Sequence, residues 1–413
     1  MNARGTALFL SSLLLLGACA SDSSAGSDGA DGSDATAASD TGAADASDGL
    51  ADPDLAEATD AAETADNDSG PGEPVHRVGF RTGSHTYSPA DGSADRTLRV
   101  AYWYPTDDTT GDEVRYLTFI PAPGVLGGAA PRGGPAPVVV FSHGNTAYAE
   151  QSAFFSEFLA SRGFLVVAPD HTGNTVGQPL DVGIFQWRPA DISAVIDHLE
   201  ALPGDEPLAK LMSDKIAVAG HSFGGYTALA VGGAAWDVDA MLAYCEAGAI
   251  ELGGCESLVA SEAIYREGFL DPRVDAVISM APGIVLVFGG GGIAQMPLPT
   301  MLVTGSRDKR TPNATNGDLA WTQLAGSSDN LRLDFASAGH FSFSDACTLP
   351  VSIGVGDGCG EGFIDSARVH AAVNAFALAF LRLHLLGDAA GQPLLSGAES
   401  IEPDLTLSLG RAP

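Results

Sequence analysis

The chain alternates short, unbroken apolar runs with longer stretches in which apolar positions recur every three or four residues. Val138-Val139-Val140-Phe141 and Phe164-Leu165-Val166-Val167-Ala168 contain no polar side chain. Such runs suit strands covered on both faces of a parallel sheet, because a strand with one wet face would alternate. Between them, residues 148–162 follow a helical pattern that Gly163 closes. Ile192, Val195, Ile196 and Leu199 repeat at helical spacing, and Ile216-Ala217-Val218-Ala219 reads as a strand leading to an Ala-rich helix after Phe223. Residues 274–280, 300–304 and 331–335 predict three further strands, and residues 365–386 one long final helix. Upstream, Leu98-Arg99-Val100-Ala101-Tyr102-Trp103-Tyr104 is rich in β formers and is expected to stop at Pro105. This alternation predicts an α/β fold with a mostly parallel, doubly wound sheet. Ligands bind beyond the carboxyl ends of the strands in such sheets, so the chemistry is expected where the strands stop.

The first 74 residues break the pattern. Arg4 precedes an apolar run over residues 7–16, which ends in Leu16-Gly17-Ala18-Cys19. A basic start, a short apolar core and small residues describe a secretory signal in residues 1–19, too short to span about 30 Å of hydrocarbon. The ending resembles the bacterial lipobox, and the resemblance implies that Cys19 is lipidated and anchors the protein in the cell envelope. An ordinary cleaved signal with an incidental cysteine is the rival reading. By the same resemblance, Ala20 after the cysteine points to the outer membrane. Residues 20–74 consist almost entirely of Ala, Ser, Asp, Gly and Thr, with fifteen acidic residues and no Lys or Arg, and so carry nearly half of the net charge of −32. A segment this poor in apolar groups cannot offset its ordering entropy, and it is expected to form a solvated, charge-extended tether. The acidity therefore says little about an active site, but the lack of a basic footprint argues against a nucleic-acid partner. Residues 75–389 suffice for one domain with a large core, expected to work as a monomer. Residues 390–413 are expected to lie along its surface as a tail. No internal repeat or second long apolar run stands out.

Four cysteines remain after Cys19: Cys245, Cys255, Cys347 and Cys359. An even number in an exported chain suggests disulfides, with three connectivities possible. The local pairs Cys245–Cys255 and Cys347–Cys359 are the simplest, each closing a loop worth roughly 3 kcal/mol in the chain-entropy model. Zinc is disfavoured, because no CxxC pair and no histidine lies at ligand spacing. Neither a metal nor an organic cofactor is expected.

Gly220-His221-Ser222-Phe223-Gly224-Gly225 matches G-x-S-x-G. The pattern alone is weak in a glycine-rich chain, but here it directly follows a strand and opens a helix, as a nucleophile elbow requires. The turn forces a strained backbone on the serine, and its neighbours must lack Cβ atoms for strand and helix to approach. Ser222 is therefore the candidate nucleophile and His221 a packed neighbour. Ser142-His143-Gly144-Asn145 follows the strand at 138–141. Acyl transfer needs two backbone N–H groups aimed at the developing oxyanion, and Phe223 and Asn145 are the candidates. The acid and then the base should follow the serine in sequence. His340 lies in a loop after the strand at 331–335, whereas His370 and His384 fall within the predicted last helix. His143 precedes the serine and is the weaker base. Asp308 follows the strand at 300–304, while Asp334, Asp345, Asp271 and Asp275 are better placed for structural roles.

Val78-Gly79-Phe80, Trp103-Tyr104-Pro105, Ser142-His143-Gly144, the elbow, and His340-Phe341-Ser342-Phe343-Ser344-Asp345 together resemble bacterial α/β-hydrolases related to platelet-activating factor acetylhydrolase and dienelactone hydrolase. The resemblance implies an α/β-hydrolase fold with a small cap insertion and ester hydrolysis by a serine triad. Two features depart from it. The acetylhydrolase takes its acid after the preceding strand, where this chain has Met280-Ala281-Pro282, and dienelactone hydrolases proper use a cysteine nucleophile. The cap is expected over residues 234–269, with Trp236 and Tyr244 shaping selectivity. A small or lipid-like ester is the expected substrate. A peptide or amide hydrolase and a surface binding protein on a retained hydrolase scaffold are the alternatives. A Cys347–Cys359 bridge would stiffen the loop carrying His340, so gentle reduction is expected to slow turnover without unfolding the core.

Overall fold

The computed structural model describes residues 75–411 except 180, 182, 249–253 and 350–352. The readings of a signal in residues 1–19, a lipidated Cys19 and a tether in residues 20–74 lie outside the described residues. Among those described, the strands are β1 (Arg77–Tyr87), β2 (Arg96–Thr106), β3 (Asp112–Tyr116), β4 (Ile120–Gly127), β5 (Ala136–Ser142), β6 (Leu165–Pro169), β7 (Met212–His221), β8 (Val274–Met280), β9 (Thr300–Gly305), β10 (Leu331–Phe335) and β11 (Leu405–Leu409). They form one sheet in the order β11-β10-β9-β8-β7-β5-β6-β2-β1-β4-β3. From β6 through β10 every pairing is parallel, whereas β2 and β11 join antiparallel at the two flanks.

The unbroken apolar runs have the cause inferred from the sequence. Val138 and Val140 of β5 face one core layer and Val139 and Phe141 the other, and Ile216 and Val218 oppose Ala217 and Ala219 in the same way along β7. Every residue of β5 is buried. One layer is closed by helices α1 (Ala153–Ser161) and α9 (Ser366–Leu381), and the other by α2 (Ile184–Glu200) and α4 (Phe223–Val231). The remaining helices are α3 (Pro207–Leu211), α5 (Val238–Glu246), α6 (Gly254–Ala260), α7 (Glu262–Glu267), α8 (Gly317–Leu324) and α10 (Gln392–Leu395). Asp365 caps α9 by accepting from the Ala367 N–H. Residues Ser366–Leu386 are long and apolar enough to cross a membrane, but more than half of that stretch is buried within the protein.

Two expectations need correction, and one strand pair went unread. Residues 390–411 do more than lie along the surface as a tail: α10 packs on α9, and Leu405–Leu409 extends the sheet antiparallel to β10. Pro105 does not end β2, because the strand runs on to Thr106 against β1. Residues 112–127, not read as strands, form a β3–β4 hairpin at the far edge. The described residues of the segment 234–269 fold as α5, α6 and α7. Trp236 packs on Tyr265 with ring centroids 4.4 Å apart, and its Nε1–H donates to Tyr226 Oη of α4. Cys245–Cys255 joins α5 to α6 and Cys347–Cys359 closes a loop beyond β10, with Cα separations of 5.6 and 5.3 Å.

Candidate active site

Ser222 sits between β7 and α4 with φ 59° and ψ −116°, a left-handed backbone forced on a residue with a side chain. The neighbouring sequence explains how the turn closes. A Cβ on Gly220 would overlap the Gly224 carbonyl, and one on Gly224 would overlap the Ser142 carbonyl at the end of β5. The Ser222 N–H donates to Met280 O at 2.9 Å, and its carbonyl accepts from Gly283 N–H at 3.0 Å. Met280-Ala281-Pro282-Gly283, the stretch that lacks the acetylhydrolase carboxylate, thus braces the serine's backbone.

The structure brings the three predicted side chains together. Ser222 Oγ lies 2.9 Å from His340 Nε2, and His340 Nδ1 lies 2.8 Å from Asp308 Oδ2. A carboxylate can only accept, so Nδ1 carries the imidazole proton and Nε2 is left to accept from the serine hydroxyl. His340 and Asp308 are buried, while Ser222 is partly open to solvent. Burial alone would raise the Asp308 carboxyl, but the charge and hydrogen bond of His340 and two bonds from Thr311 hold it below the ordinary range. Thr311 was not anticipated. Its hydroxyl donates to Asp308 Oδ2 at 2.7 Å, lies 3.1 Å from His340 Nδ1, and its N–H donates to Asp308 Oδ1. The Asp-x-x-Thr spacing, at which a hydroxyl can turn back onto the acid, was the available signal.

Gly144 packs against the elbow, where a Cβ would stand 3.4 Å from Ser222 Cβ, and Asn145 follows it. Among the described residues, the N–H groups of Asn145 and Phe223 have no acceptor within the protein. The Asn145 side chain is held instead, accepting from Asn174 Nδ2 at 2.8 Å. Behind this loop lies a buried charge that the sequence did not reveal. Arg188 of α2 donates to His143 O, Ser142 Oγ, Asn174 Oδ1 and Thr227 Oγ1, and its guanidinium lies 4.7 Å from the Phe223 ring centroid. Burial lowers that guanidinium to about 9, against the opposing charge of Asp191. Asp191 is itself held by Arg96, Tyr87 and His171.

The rival residues are occupied elsewhere. His143 Nδ1 bonds the Gly144 carbonyl, and Nε2 accepts from the His171 N–H. His221 is buried with Nε2 2.9 Å from His340 O and Nδ1 2.7 Å from Gln151 Nε2. Burial, with the nearby His340, depresses it to about 3. His370 stacks on Phe154, and His384 packs at a tilt against Phe380. Asp334 accepts from Thr304 and Asn313, Asp345 from the Phe154 N–H, Asp271 from Arg273 and Asp275 from the Ile216 N–H. No cluster of metal-ligating side chains occurs among the described residues.

A strained serine at a strand–helix turn, backed by a carboxylate and an imidazole from the loops after β9 and β10, defines an α/β-hydrolase. The match to the alpha/beta hydrolase family spans residues 139–348, just over half of the chain, and the chain belongs to that family. Among solved structures it is similar to a ferulic acid esterase from Streptomyces cinnamoneus, with 25% identity and a TM-score of 0.57 over 80% of this chain and 96% of that one. No curated protein matches it. The family makes the chain a hydrolase by class, and the solved neighbour is an esterase of the same fold.

Proposed function

We propose that this hydrolase cleaves carboxylic esters through an acyl-enzyme on Ser222. The observation that carries the reading is the continuous path from Ser222 Oγ through both nitrogens of His340 to Asp308, with separations of 2.9 and 2.8 Å. His340 Nε2 takes the hydroxyl proton as Oγ attacks the ester carbonyl, and Asp308 stabilises the imidazolium that forms. The unpaired N–H groups of Phe223 and Asn145 supply the oxyanion donors. The alcohol leaves with the proton from His340. A water, deprotonated by the same nitrogen, then attacks the acyl carbonyl and returns Oγ–H.

A fluorophosphonate probe tests the nucleophile directly: wild type is labelled and Ser222→Ala is not. An unlabelled wild type would favour the binding-protein alternative. Turnover of p-nitrophenyl esters of increasing chain length, a feruloyl ester, a phospholipid and a polyester film then sorts the substrate class. The feruloyl ester is included because the solved neighbour is a ferulic acid esterase. Export and lipid anchoring through Cys19 belong to the same proposal, supported by the leader sequence and by two disulfides that need an oxidising compartment.

A further inference from the structure

The acid and the base stand on separate loops, after β9 and β10, which are joined by the hydrogen bond between their side chains, by Thr311 Oγ1 at 3.1 Å from His340 Nδ1, and by the Arg307 N–H donating to the Ala338 carbonyl at 2.9 Å. A further link, to the backbone of the base itself, runs through Asp357. Its Oδ1 accepts the His340 N–H at 3.1 Å and the Lys309 N–H at 3.0 Å. A single buried oxygen is therefore shared between the backbone of the base and the residue next to the acid. The Asp357 carbonyl accepts from the Phe341 N–H at 2.9 Å, and the following Gly358 carbonyl accepts from Ser342 Oγ at 3.2 Å. Gly339 is pressed so closely on Asp357 and Gly358 that a Cβ there would overlap their backbone. Two residues on, Cys359 is bonded to Cys347, which lies seven positions after His340. Among the described residues, no hydrogen bond or ion pair joins Asp357 to Ser222.

We infer that Asp357 is a positioning residue that sets the separation of Asp308 and His340 through their backbones, and that the Cys347–Cys359 bridge holds it against both loops. The inference rests on the serine-esterase reading above. Its physical content is that the shared oxygen acts by where it is. Both donors are neutral N–H groups that any well-placed acceptor satisfies. Arg310, whose Nε lies 3.9 Å from Oδ2, is exposed and weakly coupled to the carboxylate.

Position and charge are separated by two conservative variants. Asp357→Asn keeps the acceptor in place and removes the charge, whereas Asp357→Glu keeps the charge and moves the oxygen by roughly one bond length. A misplacement of about 1 Å at a catalytic group can cost on the order of 100-fold. The assay is the rate of fluorophosphonate labelling of Ser222 together with kcat and KM on a p-nitrophenyl ester, for variants whose melting curves show folded protein. Expected are Asp357→Asn within about threefold of wild type, and Asp357→Glu and Asp357→Ala on the order of 100-fold lower in labelling rate and kcat with KM little changed. If Asp357→Ala does not fold, the Asn and Glu variants still decide. Equal rates for those two, or a wild-type rate in the Ala variant, would overturn the inference. Absence of Ser222-dependent labelling in wild type would remove the parent reading and this one with it.

Discussion

Gln151 connects the loop after β5, the nucleophile's neighbour and the base in one buried chain, and exchanging it for glutamate tests the whole chain at constant shape. The Gly144 N–H needs an acceptor, which fixes Gln151 Oε1 toward it at 2.8 Å. The amide NH2 therefore donates to His221 Nδ1 at 2.7 Å, and His221 Nε2–H donates to the His340 carbonyl. In Gln151→Glu the same chain is complete only while one proton is shared between the introduced carboxyl and His221, on either of them. Loss of that proton leaves two acceptors face to face with a negative charge in a buried site. An unsatisfied buried polar group costs about 1–3 kcal/mol and a charged one more, so the penalty should reach about 3 kcal/mol. The folded variant keeps its proton above the unfolded carboxyl's value near 4.3. Its deficit against wild type is therefore small near pH 5 and grows as pH rises through the raised folded value. At about 2–4 °C per kcal/mol for domains of 150–250 residues, and somewhat less for this larger one, the gap in Tm should widen by on the order of 5 °C between pH 5 and pH 9. Circular-dichroism melts of both proteins across that range measure it. A gap that stays constant with pH, or no gap at all, would refute the proposed donor–acceptor order.

Two further predictions concern stability. Gly224→Ala places a Cβ on the Ser142 carbonyl, a backbone atom at the end of β5 that has little freedom to move. It should cost about 1–3 kcal/mol or more, read by urea unfolding, while Gly204→Ala, with open space around it, should leave the midpoint unchanged. Burial raises the carboxyls of Glu157 and Asp345 to about 7, with the charge of Glu157 adding to the effect on Asp345. The folded chain thus binds more protons than the unfolded one between about pH 4 and 7, so these groups make stability fall as pH rises through that window. Glu157→Gln, which can still accept from the Tyr116 hydroxyl, should flatten the slope of Tm against pH; an unchanged slope would show that the carboxyl titrates normally.

Local sequence determined the order of the central elements and the position of the elbow. The unbroken apolar runs of β5, β6 and β7 can be stable only when covered on both faces, and the glycines at 220 and 224 leave few alternatives to a strand–turn–helix. From there, the order of acid and base and their places just past strand ends selected Asp308 and His340 from among several carboxylates and imidazoles, and the fold has brought both within hydrogen-bonding distance. The two local disulfides were legible because short cysteine spacings leave little else within reach. Tertiary structure alone decided the rest. Gln151, Arg188 and Asp357 each lie tens of residues or more from one or more of the groups they hold, and no periodicity marks a polar side chain whose partners lie on distant segments of the chain. Residues 405–409 became an edge strand for a related reason. A five-residue segment has no amphipathic signature of its own, and what fixes it is the row of free backbone donors and acceptors that β10 offers once the sheet exists.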